Sequence, residues 1–553
     1  MAPSPDALRR APGSSPRAPV RTRGVLAFLA LVGIIAVGLV LRAIPIVGQA
    51  WPVGDGGLFY TMVGELRASH LALPAFTSYN HESIPFAYPP LALELAAVLE
   101  SVAGMARADI FRFLPLAFSV LCIPAVYLIA RELQTDEAED RTDGQPGRPA
   151  DRPGLRRSRA LFATLVYATF PLGWEWLTLG SGLTRSVGML FALLATWQGL
   201  VLLRRGGLRA GIATAVLAGL AVLSHPEAGV FVVIALGTRL LVRRSWRNLR
   251  NLVLAALGSA FVIAPWVVDV VRMHGLAPFE AAGGGVGHDP VAGVVVYVFG
   301  FFLVGAPPLA ATLDLLGQVH TLLNRRPYLV LWRLAVCFLD VRFALVAAVV
   351  PLSLLAADGL FDVLLPALRA VVRERRFPHA GAWLVGVASA GLVIASLMTP
   401  SVFLAPHVAL AAPDRAAMAW VRANQPPDRR FLVLATDTWG SDDLSEWFPA
   451  LSDHGTLDTS QGLEWVPLRI RDAQIAAETR LRTCQPANLA CLRQWLAVHG
   501  SPDFAIYLPA NGSAYAAGSD PSGAIRAQLL ASSAFRVVYD GPGAVIVVPG
   551  AGS

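Results

Sequence analysis

Between residues 24 and 400 the chain is a succession of apolar runs separated by short arginine clusters. Runs of roughly 15 to 25 apolar residues match the hydrocarbon thickness of a bilayer. Inside a bilayer a segment has to satisfy its own backbone hydrogen bonds, which leaves helices. With 55% hydrophobic residues, 15% charged residues and a mean hydropathy of +0.55, a soluble class is excluded for most of the chain and a polytopic α-helical membrane protein is expected. The formal net charge of +7 does not point to a nucleic-acid partner. The arginines fall between hydrophobic segments, where they set orientation in the membrane. Lysine is absent from the sequence, so any phosphate clamp has to use Arg or His.

The run 24–47 is too long for a signal-peptide core and lacks a small-residue cleavage site. It reads as a retained first span behind a disordered, Arg-rich cytoplasmic N-terminus, 1–23. The stretch 91–105 is short, contains Glu94 and Glu100 and follows Pro89-Pro90, so it reads as an amphipathic helix at the membrane interface. The second span is then 110–131. With that assignment the arginine-rich linkers at 131–159, 204–209, 243–250, 325–326 and 373–376 share the cytoplasmic side. The outer loop 48–109 carries only Arg67 and Arg107. Further spans are expected near 160–177, 186–203, 210–224, 227–242, 251–271, 293–318, 328–340, 342–357 and 381–400, about eleven in all. The linker 132–159, rich in Asp, Arg, Pro and Gly, reads as a disordered cytoplasmic loop. The transmembrane region is thus 24–400.

Residues 401–553 change to the composition of a soluble domain of about 150 residues. Strands are expected at 431–436, 504–508, 535–539 and 544–548, the last two joined by the turn Asp540-Gly-Pro-Gly543, with helices at 473–479 and 489–499. By the same parity this α/β domain is extracytoplasmic. Cys484 and Cys491 are either a short disulfide loop or two unrelated thiols, whereas Cys122 and Cys337 read as core residues. No internal repeat of the secondary-transporter kind is visible.

The stretch 50–91 is the polar exception among the apolar runs. Asp55 stands just beyond the first span, flanked by Gly54, Gly56 and Gly57; from spacing alone a glycine-rich turn and a reactive carboxylate are equally good readings. Asp55, Tyr60, Glu65 and Leu66 form a D-x4-Y-x4-E-L pattern, Pro89-Pro90-Leu91 opens the next helix, and Arg112, Pro124-Ala-Val-Tyr127 and Arg131-Glu-Leu follow in the second span. This order resembles the GT-C membrane glycosyltransferases, and within them the glycosyltransferase family 39-like group of bacterial protein O-mannosyltransferases and lipid A aminoarabinose transferases. The resemblance extends over about the first 250 residues and is loose in the C-terminal region. It implies a GT-C-like fold, a polyprenyl-phosphate sugar as donor, a glycan, lipid or protein hydroxyl as acceptor, and Asp55 as general base. The chain departs from the group at Tyr88, where relatives often carry His or Lys. It departs again in its second outer loop, GSGLTR, which has no acid; Glu175 is the nearest.

Displacing a lipid phosphate needs positive charge beside the phosphate and a base for the incoming hydroxyl. Arg185 and His225, both placed by parity at outer ends of spans, are the candidates for the donor phosphate; the alternatives are snorkelling for Arg185 and helix capping for His225. Tyr60, Glu65, His81, Glu82, Tyr88, Glu227 and His288 are expected near the substrates. Asn80-His81-Glu82 and Gly287-His288-Asp289 lack the spacing of a metal site, so no required metal or other cofactor is expected. The glycine run 283–287 lacks the lysine of a phosphate loop and reads as a mobile lid. Ser445-Glu-Trp-Phe-Pro449 and Gln461-Gly-Leu-Glu-Trp465 set acids beside tryptophans, as an acceptor surface or as packing at the junction with the membrane. The expected molecule is a multi-pass plasma-membrane glycosyltransferase working with inversion on the outer face, in contact with membrane lipids. The alternatives are a lipid-linked glycan transporter or flippase, which would need charges along a path through the bundle, and a non-catalytic scaffold with an outer binding domain.

Overall fold

A computed structural model of the chain describes residues 20–144, 153–180, 182–284, 290–300, 308–339, 343–372, 379–398, 409–435, 442–485, 488–510 and 521–550. Helix α1 (Val20–Val47) is followed by α2 (Gly57–Ala68), a two-strand hairpin of β1 (Phe76–Thr77) and β2 (Ile84–Pro85), and α3 (Leu91–Val102). Then come α4 (Arg107–Gly144), α5 (Pro153–Thr169), the one-turn α6 (Glu175–Thr178), α7 (Gly182–Arg205), α8 (Leu208–Ser224), α9 (Pro226–Val242), α10 (Trp246–His274) and α11 (Ala277–Gly284). The second half of the bundle comprises α12 (Pro290–Val295), α13 (Pro308–Leu323), α14 (Tyr328–Leu339), α15 (Ala344–Ala347), α16 (Val349–Asp358), α17 (Leu365–Val371) and α18 (Ala380–Met398).

Among the described residues, six helical stretches are long and apolar enough to cross a membrane: Gly24–Val47, Arg107–Asp136, Gly182–Arg205, Trp246–His274, Ala344–Val371 and Ala380–Met398. The other apolar runs are shorter or broken. The run 160–177 ends its helix at Thr169, because Pro171 opens a separate turn. Within Ala344–Val371 the most apolar 18-residue window has 94% of its residues buried and lies at the centre of the bundle, whereas the outward sides of α1 and α18 stay largely uncovered. The charge inside α14 has a partner: Arg333 lies 2.7 Å from Asp314 of α13, and both side chains are 3% exposed. An ion pair of this kind makes a charged residue tolerable at membrane depth.

Two expectations need correction. The first helix begins at Val20, inside the segment read as disordered. The linker 132–159 is not one open loop: α4 continues to Gly144 and α5 starts at Pro153. Its charged residues hold these ends down, with Glu132 2.6 Å from Arg204, Asp136 paired with Arg239 and, at 2.8 Å, with Arg243, and Arg159 between Asp358 and Asp362.

The C-terminal region contains α19 (Ala412–Asn424), β3 (Arg430–Val433), α20 (Asp443–Ser452), α21 (Leu468–Arg482), α22 (Leu489–His499), β4 (Phe504–Pro509), α23 (Pro521–Ala531), β5 (Phe535–Gly541) and β6 (Ala544–Pro549). Its sheet has the order β3-β4-β6-β5, with β3 and β4 parallel and the other pairs antiparallel. Both faces of β4 and β6 are buried, so these strands read as apolar runs without polar alternation, whereas the edge strand β5 is partly exposed. Phe431, Val433, Tyr507 and Ile546 face Trp447, Phe448 and Met418, whereas Leu432, Ile506, Leu508 and Val547 face Leu481, Leu492 and Trp495. Helix α21 is longer at both ends than the expected 473–479. Cys484 and Cys491 form a disulfide that joins the end of α21 to the start of α22, and Cys122 and Cys337 are buried free thiols.

Candidate active site

The polar stretch after α1 is wedged between the α6–α7 loop and the C-terminal region. Val53 accepts a hydrogen bond from the Gly180 amide (2.8 Å) and forms an antiparallel bridge with Ala409. Trp447 of α20 donates its indole N–H to the Gly54 carbonyl at 2.8 Å and packs edge-on against Trp51 and Tyr60. Asp55 sits at this junction, partly exposed, immediately before α2. The flanking residues have to be glycines: Gly54 (φ 75) and Gly56 (φ 148) lie where side chains are strained, and a Cβ on Gly57 would collide with the Glu446 carbonyl oxygen. The GDGG motif is therefore a turn and a point of close docking at once.

The start of α2 is capped from the far end of the sequence. Gln461 accepts from the Leu58 amide (2.8 Å) and donates to the Glu446 carboxyl (2.9 Å), and Tyr79 donates to the Glu446 carbonyl (2.6 Å). Burial, followed by the fields of Asp55 and Asp443, pushes the Glu446 carboxyl well above the usual carboxylate range. Two carboxyl groups, Asp55 from the first loop and Glu446 from the C-terminal region, thus share one environment, which the motif spacing of either segment does not reveal.

Four residues along from Asp55, Phe59 meets the ring of Tyr88 with centroids 4.6 Å apart. The Tyr88 hydroxyl lies 3.0 Å from His225 Nδ1 and 3.4 Å from the Thr184 hydroxyl, and His225 Nε2 lies 2.9 Å from Glu227. Because a carboxylate only accepts, Glu227 fixes Nε2 as a donor and turns Nδ1 toward Tyr88. His225 is 5% exposed, at the break between α8 and α9. Arg185 lies in the first turn of α7, its guanidinium 5.0 Å over the ring of Trp176. A cavity of about 600 Å³ adjoins this line; Pro90, Glu94, Leu223, Trp266, Asp269 and Arg272 contribute to its wall.

Other residues expected near substrates hold the loop in place. Glu65 accepts from the amide and hydroxyl of Ser78 (2.6 and 2.7 Å). Asn80 accepts from the Thr456 amide (2.6 Å), and Glu82 pairs with Arg430 of β3 at 2.8 Å. Tyr60 lies under the guanidinium of Arg107 (4.7 Å), and His81 is exposed. Glu175 is buried beside Trp174. His288 and 285–287 of the glycine run lie outside the described residues. Among the described residues no three His, Cys, Asp or Glu side chains converge as a metal cage.

Residues 152–268 match the family model of dolichyl-phosphate-mannose-protein mannosyltransferases, a segment that includes Arg185, His225 and Glu227 but not Asp55. By sequence, no curated protein matches the chain significantly. Several solved structures share its architecture. The archaeal oligosaccharyltransferase AglB from Archaeoglobus fulgidus, in complex with an inhibitory peptide and a dolichol-phosphate, superposes with a TM-score of 0.57 at 14% identity, over 88% of this chain and 69% of its own. ArnT from Cupriavidus metallidurans, bound to undecaprenyl phosphate, superposes with a TM-score of 0.51 at 14% identity, over 94% of this chain and 98% of its own. The chain has the fold of the GT-C membrane glycosyltransferases. The arabinofuranosyltransferase AftD from Mycobacteria shares that fold (TM-score 0.54, 15% identity), with 94% of this chain covering 40% of AftD. In this chain the stretch after α1 meets the α6–α7 turn through Val53 and Gly180, and its Tyr88 meets His225 at the α8–α9 break.

Proposed function

We propose that this protein is a membrane glycosyltransferase that moves a sugar from a polyprenyl phosphate to a hydroxyl acceptor by a single displacement. Asp55 takes the proton of the acceptor hydroxyl as its oxygen bonds to the anomeric carbon. The bond from that carbon to the phosphate oxygen breaks on the opposite face, and the electron pair leaves with the polyprenyl phosphate, so configuration inverts. The phosphate sits between Arg185 and His225. The N-terminal turn of α7 adds backbone N–H groups and a positive dipole end to the Arg185 fork. Glu227 and Tyr88 hold the imidazole in place. The 600 Å³ cavity beside Pro90 and Leu223 offers room for the donor lipid near its phosphate, and the neighbouring Phe261 on α10 is 83% exposed, as befits a lipid-facing helix.

The observation that carries this reading is the chain of contacts from Asp55 through Phe59 and Tyr88 to His225 and Glu227. It links a partly exposed carboxylate at the start of α2 to a buried, oriented imidazole at the α8–α9 break. The test is to incubate the purified full chain with a panel of polyprenyl-phosphate sugars and hydroxyl acceptors and to follow lipid phosphate release and product anomer. Release with an inverted glycoside is expected. Retention of configuration, or no release from any donor in the panel, would overturn the proposal.

A further inference from the structure

A second cavity, of about 170 Å³, opens between the far ends of α4 and α9 and the turn joining α13 to α14. Four guanidinium groups, those of Arg239, Arg243, Arg325 and Arg326, line it together with Thr321 and Tyr328. Helix α9 begins next to His225, and Arg239 lies 13 residues beyond Pro226, about 20 Å along the axis. The cavity is therefore at the opposite end of the bundle from Asp55. Two of its arginines are fixed from behind: Asp136 of α4 pairs with Arg239 and Arg243, and Arg239 lies 5.0 Å over the Tyr328 ring.

The other two arginines form the turn itself. The amides of Arg325 and Arg326 close the end of α13 onto the carbonyls of Leu322 (3.0 Å) and Thr321 (2.8 Å). Arg325 has φ 56, the left-handed position after a helix where glycine is favoured; an L side chain there costs about 1 kcal/mol. A turn that sterics would give to glycine instead presents two adjacent guanidiniums at the cavity mouth. Next to the lining residues in sequence, Leu241, Leu322 and Leu323 are 66%, 50% and 78% exposed, which places the mouth at a hydrocarbon edge.

We propose that this cavity binds the phosphate of an anionic phospholipid headgroup, with acyl chains against the neighbouring leucines. A ring of forked donors suits phosphate oxygens, and a phosphodiester supplies charge at the depth where the leucines meet lipid. The test uses the full chain in a non-ionic detergent, titrated with phosphatidylglycerol, phosphatidylcholine or inorganic phosphate and read by native mass spectrometry. Phosphatidylglycerol is expected to bind at least about tenfold more tightly than phosphatidylcholine. The R325A/R326A variant should lose about tenfold or more of that affinity at unchanged melting temperature, and R325K/R326K should recover much of it. Equal binding of the two lipids, or unchanged phosphatidylglycerol affinity in R325A/R326A, would overturn the proposal. So would displacement by inorganic phosphate at the lipid's own concentration, which would make this a soluble-anion site.

Discussion

At the scale of single residues, the account rests on a few polar contacts made where water is excluded. Tyr88→Phe removes the hydroxyl facing His225 Nδ1 and leaves the ring packing of Phe59 intact. A loss of about 1 kcal/mol, roughly fivefold in kcat/KM, is expected, measured as donor turnover at subsaturating lipid. Trp447→Phe keeps an aromatic ring but orphans the buried Gly54 carbonyl, and a loss of about 1–3 kcal/mol in stability, read by thermal unfolding, is expected. Asp55 stood out in the sequence because it is a charge in a polar island between apolar runs, and Tyr88 stood out as a departure from a motif. Glu446 and Gln461 did not, because their relevance is purely tertiary: each lies about four hundred positions from the loop it touches, and nothing in SEWFP or QGLEW says which surface it meets.

At the scale of elements, α2 is held at its start by another part of the chain. Gly57→Ala drives a methyl into the Glu446 carbonyl and should separate α2 from α20, lowering melting temperature and donor turnover together. The acids around α20 and α21 respond to pH in one direction. Burial pushes Asp442 up to about 7 and Glu478 up to about 7, and raises Asp458 well above the usual range. Unfolded carboxylates titrate near 4, so the folded state binds these protons more tightly. The stabilising contributions of Asp442 and Glu478 are present below about 4 and are lost as pH rises toward 7, at on the order of 1 kcal/mol per pH unit for each, and that of Asp458 has the same sign. Asp442 also caps α20 by accepting from the Ser445 amide at 2.8 Å, a bond that Asn can make without ionising. Asp442→Asn should therefore melt at nearly the same temperature as the wild type at pH 4 and higher at pH 8. Elements were legible where period and length agreed, as in α22 and the β5–β6 hairpin. They were not where ion pairs extend a helix through polar sequence, as in α4 beyond Glu132, or where proline ends one early, as in α5.

At the scale of the whole molecule, the helical bundle supplies Arg185, His225 and Glu227 to the proposed site, the first loop supplies Asp55 and Tyr88, and the C-terminal region meets that loop through Trp447, Gln461 and Glu446. Hydropathy showed the bundle and the change of composition near residue 400. It did not show that the C-terminal region touches the first loop, because both stretches are polar for their own reasons. The central claim is that Asp55 removes the acceptor proton, and the most direct measurement compares donor turnover by the wild type and Asp55→Asn, purified as full chains with matched melting temperatures, across pH. The variant is expected to lose about 10²–10⁴-fold in kcat while still binding polyprenyl phosphate. Equal turnover of the two proteins would contradict the assignment of Asp55 as the base.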